Sequence, residues 1–254
     1  MKITLLGTGT SQGVPVIACD CNVCQSGNIK DKRLRSSVMV EVDNQVLVID
    51  TGPDFRQQML REKVTNLDAI LFTHHHKDHV AGMDDIRAFN FKWKKDMPVY
   101  CTKATEKALL NEFPYVFVKK KYPGTPNVLI NIIKNQSFKV KDTTIIPIEA
   151  MHYLMPVLGF RIKDFVYLTD VSFISEKEKE KMKGASLIIL DALRKKEHVS
   201  HLNLQQALEL LQELKPKKAL LTHISHYMGL HAEVNSQLPN NIQLAFDGQK
   251  IVLS

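Results

Sequence analysis

The sequence predicts a layered α/β protein, two sheets with helices on their outer faces. Short apolar, β-branched runs recur along both halves of the chain, and helical patterns separate some of them. With 254 residues, 44% of them hydrophobic, the chain can bury a large core without disulfides. It is read as one domain over 1–254, since no repeat, low-complexity tract or linker interrupts it.

Ile3 to Leu6 form the first strand, an apolar run that stops at Gly7 and Gly9. Ser37 to Val42 and Gln45 to Asp50 follow as a hairpin turning at Asp43-Asn44, and the alternation of Val38, Val40 and Val42 has the two-residue period of a strand. A helix is expected over Asp54 to Glu62, then a buried strand over Leu67 to Phe72 that ends at Thr73. Further strands are expected at Val99 to Thr102, Asn127 to Ile133, Thr143 to Ile148, Gly159 to Ile162, Phe165 to Thr169 and Ala219 to Leu221. Helical patterns cover Ala81 to Phe91, Ala104 to Glu112, Ser175 to Lys183 and Leu204 to Leu214, the last opened by Asn203 as its N-cap. A closing hairpin is expected from Gln243 to Phe246 and Lys250 to Leu253, joined at Asp247-Gly248.

The apolar run at the N-terminus is too brief for an export signal, and no later segment approaches the roughly 20 apolar residues of a membrane span. The expectation is therefore a soluble, cytoplasmic protein with no membrane partner. In that reducing setting Cys19, Cys21 and Cys24, crowded into six residues, are better explained by metal than by disulfides. Cys101 reads as a small buried hydrophobe. The net charge of +7 favours anionic partners, but the lysines are scattered, so charge alone does not choose between a small phosphate ester and a nucleic acid.

The segment Thr73-His74-His75-His76-Lys77-Asp78-His79 is dense in metal-ligand types, directly after a buried strand and before a helix. Residues two apart in an extended segment point the same way, so His74 and His76 can converge on one ion. Asp78 and His79, where the chain turns into the helix, can face a neighbouring one. His152, Asp170 and His223 each stand just beyond an apolar strand and complete a dinuclear set, Asp170 having two oxygens to share between ions. Imidazole with carboxylate suits zinc and also manganese or iron. Asp50, ending Leu47-Val48-Ile49, is placed behind the ligands, orienting a histidine by a hydrogen bond.

His74-x-His76-x-Asp78-His79 with His152, Asp170 and His223 resembles the metallo-β-lactamase superfamily, whose fold is a four-layer αβ/βα sandwich with metals at one sheet edge. Leu6 to Pro15, Cys19-x-Cys21-x-x-Cys24 and Thr222-His223-Ile224-Ser225-His226 narrow the resemblance to the PhnP-type cyclic phosphodiesterases. That likeness spans nearly the whole chain. It implies action on a phosphoribosyl cyclic phosphate or similar small phosphodiester, and a structural zinc on three cysteines and a late histidine, here Cys19, Cys21, Cys24 and His226. Three thiolates and an imidazole close a tetrahedron and leave no position for chemistry, so that zinc is a staple. The resemblance also allows for a homodimer.

Two divalent ions in such a site would lower the pKa of a shared water toward neutrality and clamp the phosphate oxygens, with Asp78 in the catalytic set. The leaving oxygen needs a proton, and His201 is favoured as its donor because the His201 to Ala207 segment resembles the His-Ser-Thr segment of tRNA 3′-processing nucleases. His198 is the rival. Such a nuclease is the nearest alternative function, but its tRNA-gripping arm has no room between His152 and Asp170, so nucleic acid is allowed for without being favoured. A true β-lactamase is disfavoured by Asp170, where many of those enzymes carry cysteine. A non-catalytic metal-binding protein of the same fold, as among some pyrroloquinoline quinone biosynthesis relatives, is disfavoured by the complete ligand set.

Overall fold

In the computed structural model, which describes residues 1–253, the strands assemble into two seven-stranded sheets. β1 (Lys2–Gly7), β2 (Ser37–Val42), β3 (Gln45–Ile49), β4 (Ala69–Leu71), β5 (Met97–Cys101) and β6 (Val128–Ile132) lie side by side in chain order. β7 (Phe138–Val140), β8 (Thr143–His152), β9 (Met155–Ile162), β10 (Phe165–Leu168), β11 (Leu187–Asp191), β12 (Lys218–Thr222) and β13 (Ile242–Leu244) do the same in the second sheet. β14 (Lys250–Val252) then returns to the first sheet beside β1.

Each sheet begins with antiparallel hairpins and finishes parallel, β3 to β6 in one and β10 to β13 in the other. Parallel neighbours need crossovers, and the helices supply them. α1 (Asn22–Gln25) lies in the cysteine loop; α2 (Phe55–Arg61), α3 (Lys77–Val80), α4 (Arg87–Trp93), α5 (Lys103–Glu112) and α6 (Pro114–Phe117) serve the first sheet. α7 (Glu176–Glu180), α8 (Leu204–Leu214) and α9 (His231–Asn235) serve the second. No helix among the described residues is long and apolar enough to cross a membrane.

Side-chain alternation decides the layers. Ile3, Leu5, Val38, Val40, Leu47 and Ile49 share one core with Phe165, Tyr167, Leu187 and Ile189 of the second sheet. The intervening Leu6, Met39, Val48 and Ile70 pack instead with Phe55, Met59 and Phe89 of α2 and α4. On the far side Val166, Leu168, Ile188 and Leu190 meet Ala207, Leu210, Leu211 and Leu214 of α8, which is opened by a capping box between Asn203 and Gln206. The result is the expected order of helix, sheet, sheet, helix, a metallo-β-lactamase αβ/βα sandwich. Strands buried on both faces read as unbroken apolar runs. For that reason β11, in the middle of the second sheet, escapes a search for alternation.

Two expectations fail. The closing hairpin does not form: β13 pairs with β12 and β14 with β1, so Asp247-Gly248 carries the chain from one sheet to the other. The Asp247 carboxylate accepts from Thr8 Oγ1 and the Leu34 amide, both at 2.8 Å, and this long-range capture fixes the crossing. The helix expected over Ala81 to Phe91 does not form as one: α3 ends before it at Val80, a 3-10 turn covers Met83–Ile86, and α4 begins only at Arg87. Gly82 sits at the break, where a Cβ would come within 2.2 Å of the Gly52 carbonyl oxygen.

Gly52 is crowded in turn. A Cβ there would lie 2.2 Å from the backbone oxygen of Asp78 and 3.2 Å from Cβ of Arg35, so the ligand-bearing segment would have to shift. Gly52→Ala is expected to cost about 1–3 kcal/mol and to lower Tm by about 5 °C in a thermal melt. An unchanged Tm would mean that the Asp78 segment yields freely.

Candidate metal centre

The ligand-type residues gather where strands end. Asp50 follows β3, Thr73 to His79 follow β4, Asp170 follows β10, Asp191 ends β11 and His223 follows β12, while His152 ends β8. The carboxyl edge of parallel strands is where open α/β sheets place ligands, because the crossovers leave a crevice there. Asp50, Asp170 and His223 each take a left-handed backbone, with φ of 65°, 55° and 59°. That conformation is costly for a side chain with a Cβ, and its concentration at one rim marks strain held by the fold around a site.

The seven residues expected as ligands are brought together. Ring centroids of His74 lie 4.6 Å from His76 and 4.2 Å from His79; His76 and His152 are 5.2 Å apart, and His79 and His223 5.9 Å. Ligand atoms of Asp78, His79, Asp170 and His223 all lie within 4.8 Å of one another, as do those of His152, Asp170 and His201. Asp170 belongs to both groups. One of its oxygens is 3.2 Å from His79 Nε2 and 3.1 Å from His223 Nδ1, and the other is 4.0 Å from His201 Nε2.

Hydrogen bonds set which imidazole nitrogens face the centre. Asp50, fully buried, accepts from the Thr73 amide (2.9 Å), the Thr73 hydroxyl (2.8 Å) and His79 Nδ1 (2.7 Å). With its proton given to Asp50, the Thr73 oxygen accepts from His74 Nδ1 at 2.9 Å. His152 Nδ1 donates to the Ser200 carbonyl at 2.8 Å, and His201 Nδ1 to Asp191 at 3.0 Å. In all four rings Nδ1 is engaged, which leaves Nε2 for the centre.

Those nitrogens want a partner. His74 Nε2 and His79 Nε2 are buried with no hydrogen bond, a state that costs about 1–3 kcal/mol per group when uncompensated. Burial pushes the pKa of His74, His76, His152 and His223 below the ordinary imidazole value, keeping lone pairs free at neutral pH. His79 goes the other way: burial opposes its charge, but Asp170, Asp78 and Asp50 together outweigh it and raise its pKa, a pull of three carboxylates toward positive charge at this point. Burial would raise Asp78 and Asp170, yet the surrounding imidazoles hold both well below the usual carboxylate range. Neutral imidazoles around ionised carboxylates, with buried nitrogens lacking partners, fit a divalent metal.

His201 is buried beside this group, its ring 4.6 Å from His152 and 4.8 Å from His223. His198 is half-buried, 5.2 Å from His201, with Nδ1 taken by the Ser200 hydroxyl at 3.1 Å. Asp191 is the residue sequence reasoning missed. It ends Leu187-Ile188-Ile189-Leu190 as Asp50 ends Leu47-Val48-Ile49, so the same signal, a carboxylate closing a buried apolar run, could have found it. It also accepts from the Val171 amide at 3.0 Å, which steadies the residue after Asp170.

A second cluster lies apart. His226 Nδ1 is 3.3 Å from Cys19 Sγ, 3.3 Å from Cys21 Sγ and 3.6 Å from Cys24 Sγ. A zinc tetrahedron with bonds of about 2.3 Å to sulfur and about 2.0–2.1 Å to nitrogen has S···N edges of about 3.5 Å, so the four groups fit that ion. The Cys24 amide and His226 lower the Cys21 thiol to about 6, while burial raises Cys24 to about 11. Backbone bonds from Thr10 to Ile224 and from Ile224 to Thr8 join the early loop to the same segment.

Comparison with known proteins gives four findings. A family model described as a beta-lactamase superfamily domain matches residues 45–224. A crystal structure described as a new diphosphatase from the PhnP family superposes with a TM-score of 0.93 at 39% identity, covering 100% of this chain and 98% of the other. An octanoyltransferase from Porphyromonas gingivalis is 38% identical over 256 residues, covering 100% of this chain but 52% of its own length, so the chain spans about half of that curated relative. Zinc-bound PqqB from Methylobacterium extorquens, at 17% identity, shares the fold, with a TM-score of 0.82 and full coverage of both chains.

Proposed function

This chain belongs to the beta-lactamase superfamily and, within it, to the PhnP family, and from that membership we propose that it hydrolyses a small cyclic or nucleotide-like phosphodiester with two divalent ions, zinc or manganese. The observation that carries the reading is Asp170, one carboxylate shared by two ligand clusters. Asp78, His79, Asp170 and His223 would hold one ion, and His74, His76 and His152 the other, with Asp170 between. Cys19, Cys21, Cys24 and His226 would hold a structural zinc. When bound, the pair supplies an activated water and a clamp for phosphate oxygens.

The chain's own residues do the rest. Asp50 and Thr73 hold the His74 and His79 rings in register. His201 is the proton donor to the leaving oxygen in this reading. Burial opposes its charge, but Asp191, by contact and by bond, and then Asp170 raise it to about 9, so it carries a proton at neutral pH as a general acid must. His198 remains the alternative donor.

The PhnP-family relative described as a diphosphatase favours a second substrate, a diphosphate diester, on which the same nucleophile and clamp would act. The octanoyltransferase name belongs to a protein about twice this length. Cys101 is fully buried, with its thiol pushed up to about 12, which does not suit it to covalent acyl transfer.

The test is hydrolysis by metal-loaded protein of bis(p-nitrophenyl) phosphate, a nucleoside 2′,3′-cyclic phosphate and a nucleoside diphosphate diester. Turnover that falls about a hundredfold in Asp78→Ala is the expected result. Silence on all three would favour a non-catalytic metal-binding protein.

A further inference from the structure

Four two-residue turns close antiparallel hairpins in this fold: Asp43-Asn44, Lys141-Asp142, Tyr153-Leu154 and Lys163-Asp164. Each opens on a residue with a left-handed backbone, φ 47°, 49°, 56° and 53° in turn. Such turns favour Asn, Asp or Gly, because bulky side chains are strained there. Only Asp43 meets that preference at the left-handed position, while Lys141 and Lys163 keep their turns polar. Tyr153-Leu154 is the apolar pair among the four, and both residues project outward, Tyr153 57% and Leu154 75% exposed.

The exception sits beside the metal centre. His152 immediately precedes the turn, and the Tyr153 amide donates to Ser172 Oγ at 3.0 Å, which anchors it. Val199, 66% exposed, comes from the loop before α8, next to the Ser200 that receives His152 Nδ1. Tyr153, Leu154, Met155 and Val199 line a cavity of about 430 Å³ together with His76 and His152. That volume is in the range of small-molecule sites, and large apolar groups left exposed at a ligand-bearing rim mark a binding wall. No lysine or arginine lines it, so it is not built for a second phosphate.

We propose that this cavity receives the flat ring of a nucleobase carried by the phosphodiester, making Tyr153, Leu154 and Val199 the residues that determine specificity. The proposal rests on the phosphodiesterase reading above. A phenol face with a thioether and branched aliphatic groups suits a flat π ring, which stacks in place of water over apolar surface. An apolar pair is then kept at this turn, where the other three are polar, because the two side chains are needed beside the centre.

The experiment compares three p-nitrophenyl phosphate esters on metal-loaded protein: that of thymidine 5′-phosphate, its abasic deoxyribose counterpart, and the octyl ester. Wild type is expected to prefer the thymidine ester to the abasic one by about tenfold or more in kcat/KM, mostly through KM. Tyr153→Asn suits the turn, so its Tm should not fall, yet it should erase most of that ratio; Tyr153→Phe should keep it. Equal rates on the thymidine and abasic esters, a ratio untouched by Tyr153→Asn, or preference for the octyl ester would overturn the assignment. If wild type turned over none of the esters, the phosphodiesterase reading would fall, and calorimetry would decide the cavity separately. Thymidine 5′-monophosphate should then bind about tenfold tighter than deoxyribose 5-phosphate in wild type but not in Tyr153→Asn, and equal binding would overturn the proposal.

Discussion

Asp170→Asn is expected to lower kcat/KM by about a thousandfold or more and to leave the centre short of metal. The carboxylate lies 3.2 Å from His79 Nε2 and 3.1 Å from His223 Nδ1, and it is shared by both clusters of ligand atoms. Asparagine keeps the shape but removes the charge, leaving one oxygen where two are needed and directing an amide N–H₂ toward groups that must face a cation. The lost electrostatic stabilisation of a doubly charged site is worth several kcal/mol, and each 1.36 kcal/mol is about tenfold in rate. Elemental analysis beside steady-state kinetics on bis(p-nitrophenyl) phosphate checks it. A variant that kept both ions and stayed within tenfold of wild type would remove Asp170 from its bridging role.

Cys21→Ser should act on stability instead of chemistry. Total metal should fall from about three equivalents per chain to about two, and Tm by about 10 °C. Around the thiols the buried apolar residues are Val14, Val23 and Cys24, with Val16 and Leu230 half-buried against them, too small a cluster to hold the loop by packing. The damage should stay local, because Asp31 accepts from the His231 amide at 2.7 Å and buried Arg33 meets His231 Nδ1 at 3.2 Å, anchoring the neighbouring chain independently. Turnover by the folded protein should remain within about fivefold. Abolished turnover in a folded variant that retains the dinuclear pair would show that this cluster is more than a staple.

The sites were legible in sequence to the extent that each ligand stands at a recognisable local place. His74 to His79 form one dense loop, and Asp50, Asp170 and His223 each close an apolar run. Asp191 carries the same mark, a carboxylate closing the buried run Leu187 to Leu190. Tyr153 and Leu154 gave no sign, since their oddness appears only when the turn they occupy is known to be a two-residue hairpin.

By itself, then, the sequence determined the layered α/β class, most of the strands and the identity of the ligand-type residues, all properties of short windows whose periodicity or chemistry is local. Only the tertiary structure decided that β13 and β14 part into different sheets, that Asp191 stands behind His201, and that Asp170 is the residue both clusters share. The reason is physical. Pairing between strands and the meeting of side chains across a rim depend on which buried surfaces and hydrogen-bonding groups compete over the whole chain, and a window of neighbours holds no record of that competition.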